Sequence, residues 1–336
     1  MNRFYWLLLI AIVSACIDPL AIDTDEESAT LVIDGMITTE QGPYSVRLST
    51  SKGYDDFSNR AVSGATVTLF DDEGNDEVLT EVESGLYRTS ITGIKGKVGG
   101  SYYITIVTSE GKKYQSAPET ILPTVAIDSI YYELNTEIEY IGQFSTRERS
   151  YFQIYVDVSD IPGSRNFYRW ETNRAMEFTS RARDGDTSPP PCCYRCFLFY
   201  SDSEIALITD ERQDGQKLIR IPIEQVGNGF SNIFSVRVKQ FSLTSRAYEF
   251  WKNIDEQRNS VGSIFDPPPA VIRGNIVNTE DKEELVLGYF SASDVSRKVT
   301  IVPRPSYPVP GRVKFEAIGD CRDVDGATAI VPPEFR

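Results

Sequence analysis

Four cysteines in the second half of the chain are the residues whose spacing most clearly suggests chemistry. Three of them lie together and the fourth is far downstream: Cys192, Cys193, Cys196 and Cys321. Such a set can form disulfide bonds or hold zinc through thiolates, and the two residues between Cys193 and Cys196 suit a pair of zinc ligands. A four-thiolate zinc site also draws on a second close pair, which this sequence lacks. We therefore predict no metal site and treat the four residues as disulfide candidates.

A fifth cysteine, Cys16, follows a segment with the three parts of a secretory signal peptide. The positive charge of Arg3 precedes an unbroken apolar run over residues 4–13, and the small residues Ser14 and Ala15 come next. The run is about half of the ~20 residues that a membrane-spanning helix needs. Val13-Ser-Ala-Cys16 resembles the lipobox of bacterial lipoproteins, which are cut before the cysteine and acylated on it. We predict a signal peptide at residues 1–15, lipidation of Cys16, and contact with the lipid bilayer through this anchor.

Export has a consequence for the other cysteines, because thiols oxidise outside the cytoplasm. Four cysteines allow three pairings, and sequence alone does not choose among them. A bridge between the neighbours Cys192 and Cys193 would be strained. We expect Cys321 to join one of the three upstream cysteines, with a short bridge between two others.

The lack of histidine narrows the chemistry that the chain can perform. None occurs among the 336 residues, which removes the Ser–His and Cys–His nucleophile pairs and the commonest zinc and copper ligand. The formal net charge of −15 repels nucleic acid, so we expect no nucleic-acid partner. The most acidic loop, Asp71–Glu77, has glycine at its fourth position rather than the sixth position of an EF-hand loop, and is typical of a hairpin tip. We expect no cofactor.

The first part of the mature chain predicts a tether followed by a β-sandwich. Residues 16–29 are rich in acidic side chains and lack apolar periodicity, as flexible segments do. Residues 30–117 contain short alternating runs separated by turn residues. In one of these runs, Tyr102, Ile104 and Ile106 share a face. This pattern is typical of an immunoglobulin-like sandwich, and the run from Val62 to Leu69 resembles strands of carboxypeptidase-regulatory-like modules.

The remainder of the chain, residues 124–336, predicts a larger β-rich domain after prolines at positions 118 and 123. One amphipathic helix is expected from Ser245 to Asn259, with Thr244 as its cap. Gly274 and Gly288 lie in apolar runs, where glycine indicates a bulge or a close approach of two backbones. The predicted fold class is therefore mainly β, with an N-terminal immunoglobulin-like β-sandwich followed by a larger β-rich domain with one packed α-helix.

Several motifs, in their order along the chain, resemble the DUF4249 family of Bacteroidota outer-membrane lipoproteins, a family of unknown function. The motifs are Tyr248-Glu-Phe-Trp251, Asp266-Pro-Pro-Pro269, Val271 to Ile276, Val286 to Ala292, Cys321-Arg-Asp323 and Pro332 to Phe335. The lipobox and the first sandwich also fit the family's pattern. The resemblance implies a companion of TonB-dependent outer-membrane transporters, and it transfers no functional residue.

Three functions follow from these observations. The first is a non-catalytic binding or accessory lipoprotein associated with a TonB-dependent transporter. The second is a carboxylate-dependent surface hydrolase acting on glycans, which would use two acidic residues about 5–10 Å apart. The third is a structural spacer or adhesin. Ile17 follows Cys16 in place of the aspartate that retains many enterobacterial lipoproteins in the inner membrane, and this favours the outer membrane. The acidic tether resembles the export signal of Bacteroidota surface lipoproteins, and this resemblance implies the cell surface rather than the periplasmic face.

Overall fold

The computed structural model describes residues 29–51, 60–141, 145–182, 194–201, 204–227, 233–260, 270–303 and 317–335. This part of the chain contains twenty β-strands and one α-helix, which confirms the predicted mainly β fold class. Four sheets pack in two pairs, and each pair encloses an apolar core. The signal peptide, the tether, Cys16, Cys192, Cys193 and the prolines at positions 267–269 lie outside the described residues.

Sheet A forms one layer of the first sandwich. Its strand order is β19, β1, β2, β7 and β6, with β3 beside β2. The strands are β1 (Thr30–Thr38), β2 (Ser45–Ser51), β3 (Arg60–Ala61), β6 (Thr80–Glu83), β7 (Leu86–Arg88) and β19 (Val286–Ser293). β1 pairs in parallel with β19 and antiparallel with β2.

Sheet B forms the facing layer, with the strand order β18, β9, β8, β4 and β5, and with β10 beside β8. Its strands are β4 (Thr66–Asp71), β5 (Asp76–Val78), β8 (Ser101–Val107), β9 (Lys113–Ser116), β10 (Glu119–Thr120) and β18 (Ile276–Asn278). β4 and β5 form the hairpin predicted around the acidic loop, and the Asp71 carboxylate accepts the backbone N–H of Glu73 and of Asn75.

The first sandwich is completed by segments that come late in the chain. β18 and β19 both follow the helix in sequence, yet they are edge strands of sheets B and A. Ile276, Val286 and Phe290 are buried in the same core as Ile33 and Ile104. Residues 30–117 alone therefore do not contain the whole sandwich, because two strands that sequence order assigned to the second domain pair with it.

Sheets C and D form the second sandwich. Sheet C has the order β11, β12 and β16, and sheet D has the order β14, β13, β17 and β20, with β15 beside β13. The strands are β11 (Ile127–Ile141), β12 (Ser145–Ser159), β13 (Phe167–Thr179), β14 (Arg195–Ser201), β15 (Ala206–Thr209), β16 (Lys217–Gly227), β17 (Phe234–Ser242) and β20 (Val295–Val302). Their shared core includes Phe152, Trp170, Ile223 and Val236.

Asp294 is the residue at which the chain passes from one sandwich to the other. It lies between β19 of sheet A and β20 of sheet D. Its carboxylate accepts the Thr39 hydroxyl at 2.6 Å and the Thr124 backbone N–H at 2.9 Å, while its own N–H donates to the Ser242 hydroxyl. The segments at Thr39, Thr124 and Ser242 are thus all bonded to Asp294, and this fixes the junction.

Candidate binding pocket

The helix α1 (Ser245–Asn259) begins at this junction, with the bounds that the sequence predicts. Thr244 caps it by accepting the Ala247 backbone N–H. The Thr244 hydroxyl also donates to the buried Glu119 carboxylate at 2.6 Å, and Tyr289 of β19 donates to the same carboxylate at 2.7 Å. Burial and this hydrogen bond raise the pKa of Tyr289, so that it remains a neutral donor. The start of α1 is therefore attached to both sheets of the first sandwich.

The apolar stripe of α1 packs on the outer face of sheet A. Phe250 lies 4.8 Å from Tyr289, measured between ring centroids. Ala247 and Phe250 are buried in a small apolar cluster with Tyr289. Trp251, on the next position of the helix, lies under the guanidinium of Arg169 at 4.2 Å from the ring centroid. α1 thus contacts sheet A through one flank and sheet D through the other.

A cavity of about 620 Å³ remains between α1 and sheet A, towards the end of the helix. Its aliphatic wall is supplied by Val32, Ile254, Val271, Ile272, Leu285 and Leu287, and Phe250 adds an aromatic surface. The polar side chains in its lining are Thr30, Ser51 and Gln257, and Ala270 and Gly288 complete it. Among these described lining residues none carries a charge. A concave and mostly apolar cavity with a few polar groups is the usual form of a small-molecule site.

Sequence reasoning did not identify this pocket, although a signal for it was present. Strand β1 carries apolar residues on both faces, since Ile33 is buried in the sandwich while Val32 lines the cavity. Leu287 of β19 is paired with Val32 and also lines it. Apolar residues on both faces of a strand indicate that both faces are covered.

The structure also brings three acidic residues together near the end of β12 and the loop after β15. One oxygen from each of Asp160, Asp210 and Asp214 lies within 4.8 Å of the others. Burial raises the pKa of Asp210, and the adjacent Asp160 carboxyl adds to this effect. Asp210 accepts the Asn166 backbone N–H at 3.0 Å, and Asp160 accepts the Tyr168 hydroxyl and the Gly215 N–H. These bonds hold two loops against the end of the second sandwich.

Of the cysteine candidates, the structure joins Cys196 to Cys321 in a disulfide bond. Both are fully buried beside Phe178 and Leu198 of sheet D. The bridge is of the long-range type expected for Cys321. Because Cys196 is engaged in it, the expected short bridge cannot include Cys196. This pairing also excludes a zinc site that would use all four thiolates.

Over its described residues, the chain is a β protein with two sandwiches and one α-helix, and this helix covers an apolar cavity. The chain matches the model of the family described as "Domain of unknown function (DUF4249)" over residues 17–299, and it belongs to that family. No curated protein matches the chain. No helix in the described part of the chain has the length and apolar character needed to cross a membrane.

Proposed function

We propose that this protein is a non-catalytic lipoprotein of the outer membrane that binds a ligand or assists a TonB-dependent transporter. Its anchor would be acyl chains on Cys16, as the residues Val13 to Cys16 predict. Outer-membrane placement, exposure at the cell surface and a Bacteroidota source belong to the same proposal. The anchored cysteine precedes Thr30, the first residue of β1, by only fourteen positions, so the folded body would lie close to the membrane.

The observation that supports a binding role is the cavity beside α1. Catalysis of hydrolysis needs groups that donate or accept protons at the reacting atoms. The described lining offers two hydroxyls, one amide and aliphatic surface instead. Such a lining suits retention of a ligand by burial, and this favours the binding role.

The glycan-hydrolase alternative would rest on Asp160 and Asp210. A glycosidase needs one protonated and one ionised carboxyl on either side of a sugar. Here Asp210 is 1 % exposed and Asp160 is 9 % exposed, and both accept hydrogen bonds from the surrounding loop. These contacts favour a structural role for the pair, so the binding role is the better supported of the two.

Purification from membranes tests the proposal. A C-terminally tagged chain should fractionate with the outer membrane, carry lipid mass on Cys16, and recover a TonB-dependent transporter identified by mass spectrometry. The Cys16→Ala variant should lose the lipid and the membrane association. Recovery of the wild type without lipid, or glycan turnover that Asp210→Asn abolishes, would contradict the proposal. Protease treatment of intact cells reports which face of the membrane the protein occupies.

A further inference from the structure

We infer that the cavity beside α1 holds a neutral amphiphile, that is, one aliphatic chain ending in an uncharged head that forms hydrogen bonds, as in a monoacylglycerol. The inference rests on the proposed binding role and specifies its ligand. It does not depend on the anchor or on the transporter, because it is argued from the cavity alone.

The polar side chains of the lining lie at the start of β1, at the end of β2 and near the end of α1, where Leu285 adds an apolar side chain beside Thr30. Phe250, whose ring packs on Tyr289, forms the inner wall near the middle of α1. Gln257 lies two turns further along the helix, near its end. Thr30 and Ser51 are direct partners at the end of the β1–β2 ladder, and both line the cavity with Gln257. An elongated ligand would therefore extend its chain towards Phe250 and its head towards these three residues.

The inner part of the cavity suits an unbranched aliphatic chain. Val32 and Leu287 are paired across sheet A, and Ile254 of α1 faces the same space. Val271, which is 63 % exposed, extends this apolar surface to the mouth. The methylene groups of an aliphatic ligand would cover this surface, and removing apolar area from water favours binding.

The polar end suits an uncharged head. The side chains of Thr30, Ser51 and Gln257 present two hydroxyls and one amide to the cavity. Hydroxyl and amide groups both donate and accept. The described lining contains no lysine or arginine to neutralise a carboxylate or phosphate. A buried anion without such a partner is unfavourable, and this distinguishes a glycerol ester from a fatty acid.

Photocrosslinking in membranes tests the inference on the full chain. A monoacylglycerol probe with a diazirine in its acyl chain should label peptides that contain Leu287 or Val271, and unlabelled monoacylglycerol should compete. The fatty-acid probe of the same chain length should label these peptides at least about tenfold less at pH 7, because the described lining offers no cation to its carboxylate. Equal labelling by the two probes, or labelling outside the pocket only, would overturn the inference.

Two variants separate the two ends of the site. Leu287→Trp fills the cavity and should abolish labelling, whereas Val277→Trp, on an exposed position of β18 outside the lining, should leave it unchanged. The double variant Thr30→Val and Ser51→Ala preserves the size of both side chains and should reduce labelling by the glycerol ester about tenfold. Unchanged labelling in this folded double variant would exclude the proposed head-group site even if Leu287→Trp failed to fold. Loss of transporter association would leave these results unaffected.

Discussion

At the scale of single residues, several buried and half-buried carboxylates of this acidic chain accept hydrogen bonds that hold separate segments together. Glu119 holds the start of α1, and Asp294 holds the junction between the sandwiches. Glu284 joins the turn before β19 to strand β9, since it accepts Lys112 at 2.8 Å and Tyr114 at 3.1 Å, as well as the amide of Asn278. Apart from the bond between Asn278 and Glu284, these contacts join residues that are more than a hundred positions apart, so no single motif contains them.

The Glu284 carboxylate predicts a specific pH dependence of stability. Burial alone would raise its pKa, but the donors Lys112, Asn278 and Tyr114 outweigh burial and hold the pKa of Glu284 below its usual value of 4.5. A depressed pKa means that ionised Glu284 stabilises the fold above that value, and that this contribution is lost as pH falls through the native pKa. Glu284→Gln should therefore lower the free energy of unfolding by about 1–3 kcal/mol at pH 7.

The difference in the free energy of unfolding between the wild type and Glu284→Gln should become progressively smaller below pH 4.5, because a protonated glutamate resembles glutamine. Urea unfolding followed between pH 3 and pH 7 would measure it. Glu283→Gln is the matched control, since Glu283 is the exposed neighbour, and it should change the free energy of unfolding by less than about 0.5 kcal/mol at pH 7. A difference that stayed constant over this range would show that Glu284 is not held ionised by its partners.

At the scale of elements, β19 is the strand on which both sandwiches depend. It pairs along its whole length with β1, and its last residue leads into Asp294 and β20. On its other side, the Asn275 side chain bonds both the C=O and the N–H of Phe290, and so replaces a neighbouring strand. Gly274 and Gly288 allow the backbones to approach there. A Cβ on Gly274 would lie 1.5 Å from the Gly288 carbonyl oxygen, which confirms the close approach predicted for these glycines.

Gly288→Ala should be among the most damaging small substitutions in the chain. Gly288 has a positive φ of 91°, and a Cβ there would lie 1.9 Å from the carbonyl oxygen of Ile33. We expect the free energy of unfolding to fall by more than about 3 kcal/mol, because the cost of backbone strain adds to the cost of separating β1 from β19. Gly111→Ala is the matched control, with a φ of 89° and no atom within 4 Å of the added carbon.

The control variant Gly111→Ala should lose only about 1–2 kcal/mol in the free energy of unfolding, which is the cost of placing alanine in the left-handed region. Thermal unfolding monitored by circular dichroism compares the two variants under one condition. Similar losses of stability in both variants would mean that the positive φ alone determines the cost, and that the close approach of Gly288 to β1 does not add to it.

At the scale of the whole molecule, the sequence specified elements better than it specified their assembly. The helical period of α1 and the alternation of Tyr102, Ile104 and Ile106 in β8 identified these two elements, because an amphipathic pattern reflects which face is buried. The parallel pairing of β1 with β19 joins residues about 255 positions apart, and no local pattern encodes such a partner. The boundary placed near residue 118 follows turn residues, which mark the ends of segments but not the sheet that a later strand will join.

The pocket was missed for a related reason. Its described walls come from β1, the last residue of β2, β19 with the residue before it, α1 and residues 270–272, and none of these contributes more than three residues. The stripe of α1 predicted that a face of the helix is buried, as it is. It did not indicate that the last turns of the helix would leave space above sheet A. A void depends on the relative placement of elements, which the sequence pattern does not contain.

The disulfide between Cys196 and Cys321 acts at the scale of the whole second sandwich. It closes a loop across 125 positions and attaches the C-terminal segment to β14. That segment is also held by Glu334, which pairs with Arg237 at 2.9 Å, and by Phe335, whose ring lies 5.2 Å from that of Phe197. Closing so long a loop restricts the unfolded chain strongly in the chain-entropy model.

The double variant Cys196→Ala and Cys321→Ala should therefore lose about 5 kcal/mol in the free energy of unfolding, measured with denaturant under oxidising conditions. The variant Cys192→Ala and Cys193→Ala keeps the bridge and should lose much less. Peptide mapping without reduction should recover the Cys196 peptide joined to the Cys321 peptide. Recovery of Cys321 joined to Cys192 or Cys193 would contradict the pairing. Equal stability of the two double variants would show instead that the C-terminal segment is held by its contacts with Arg237 and Phe197 and not by the covalent bond.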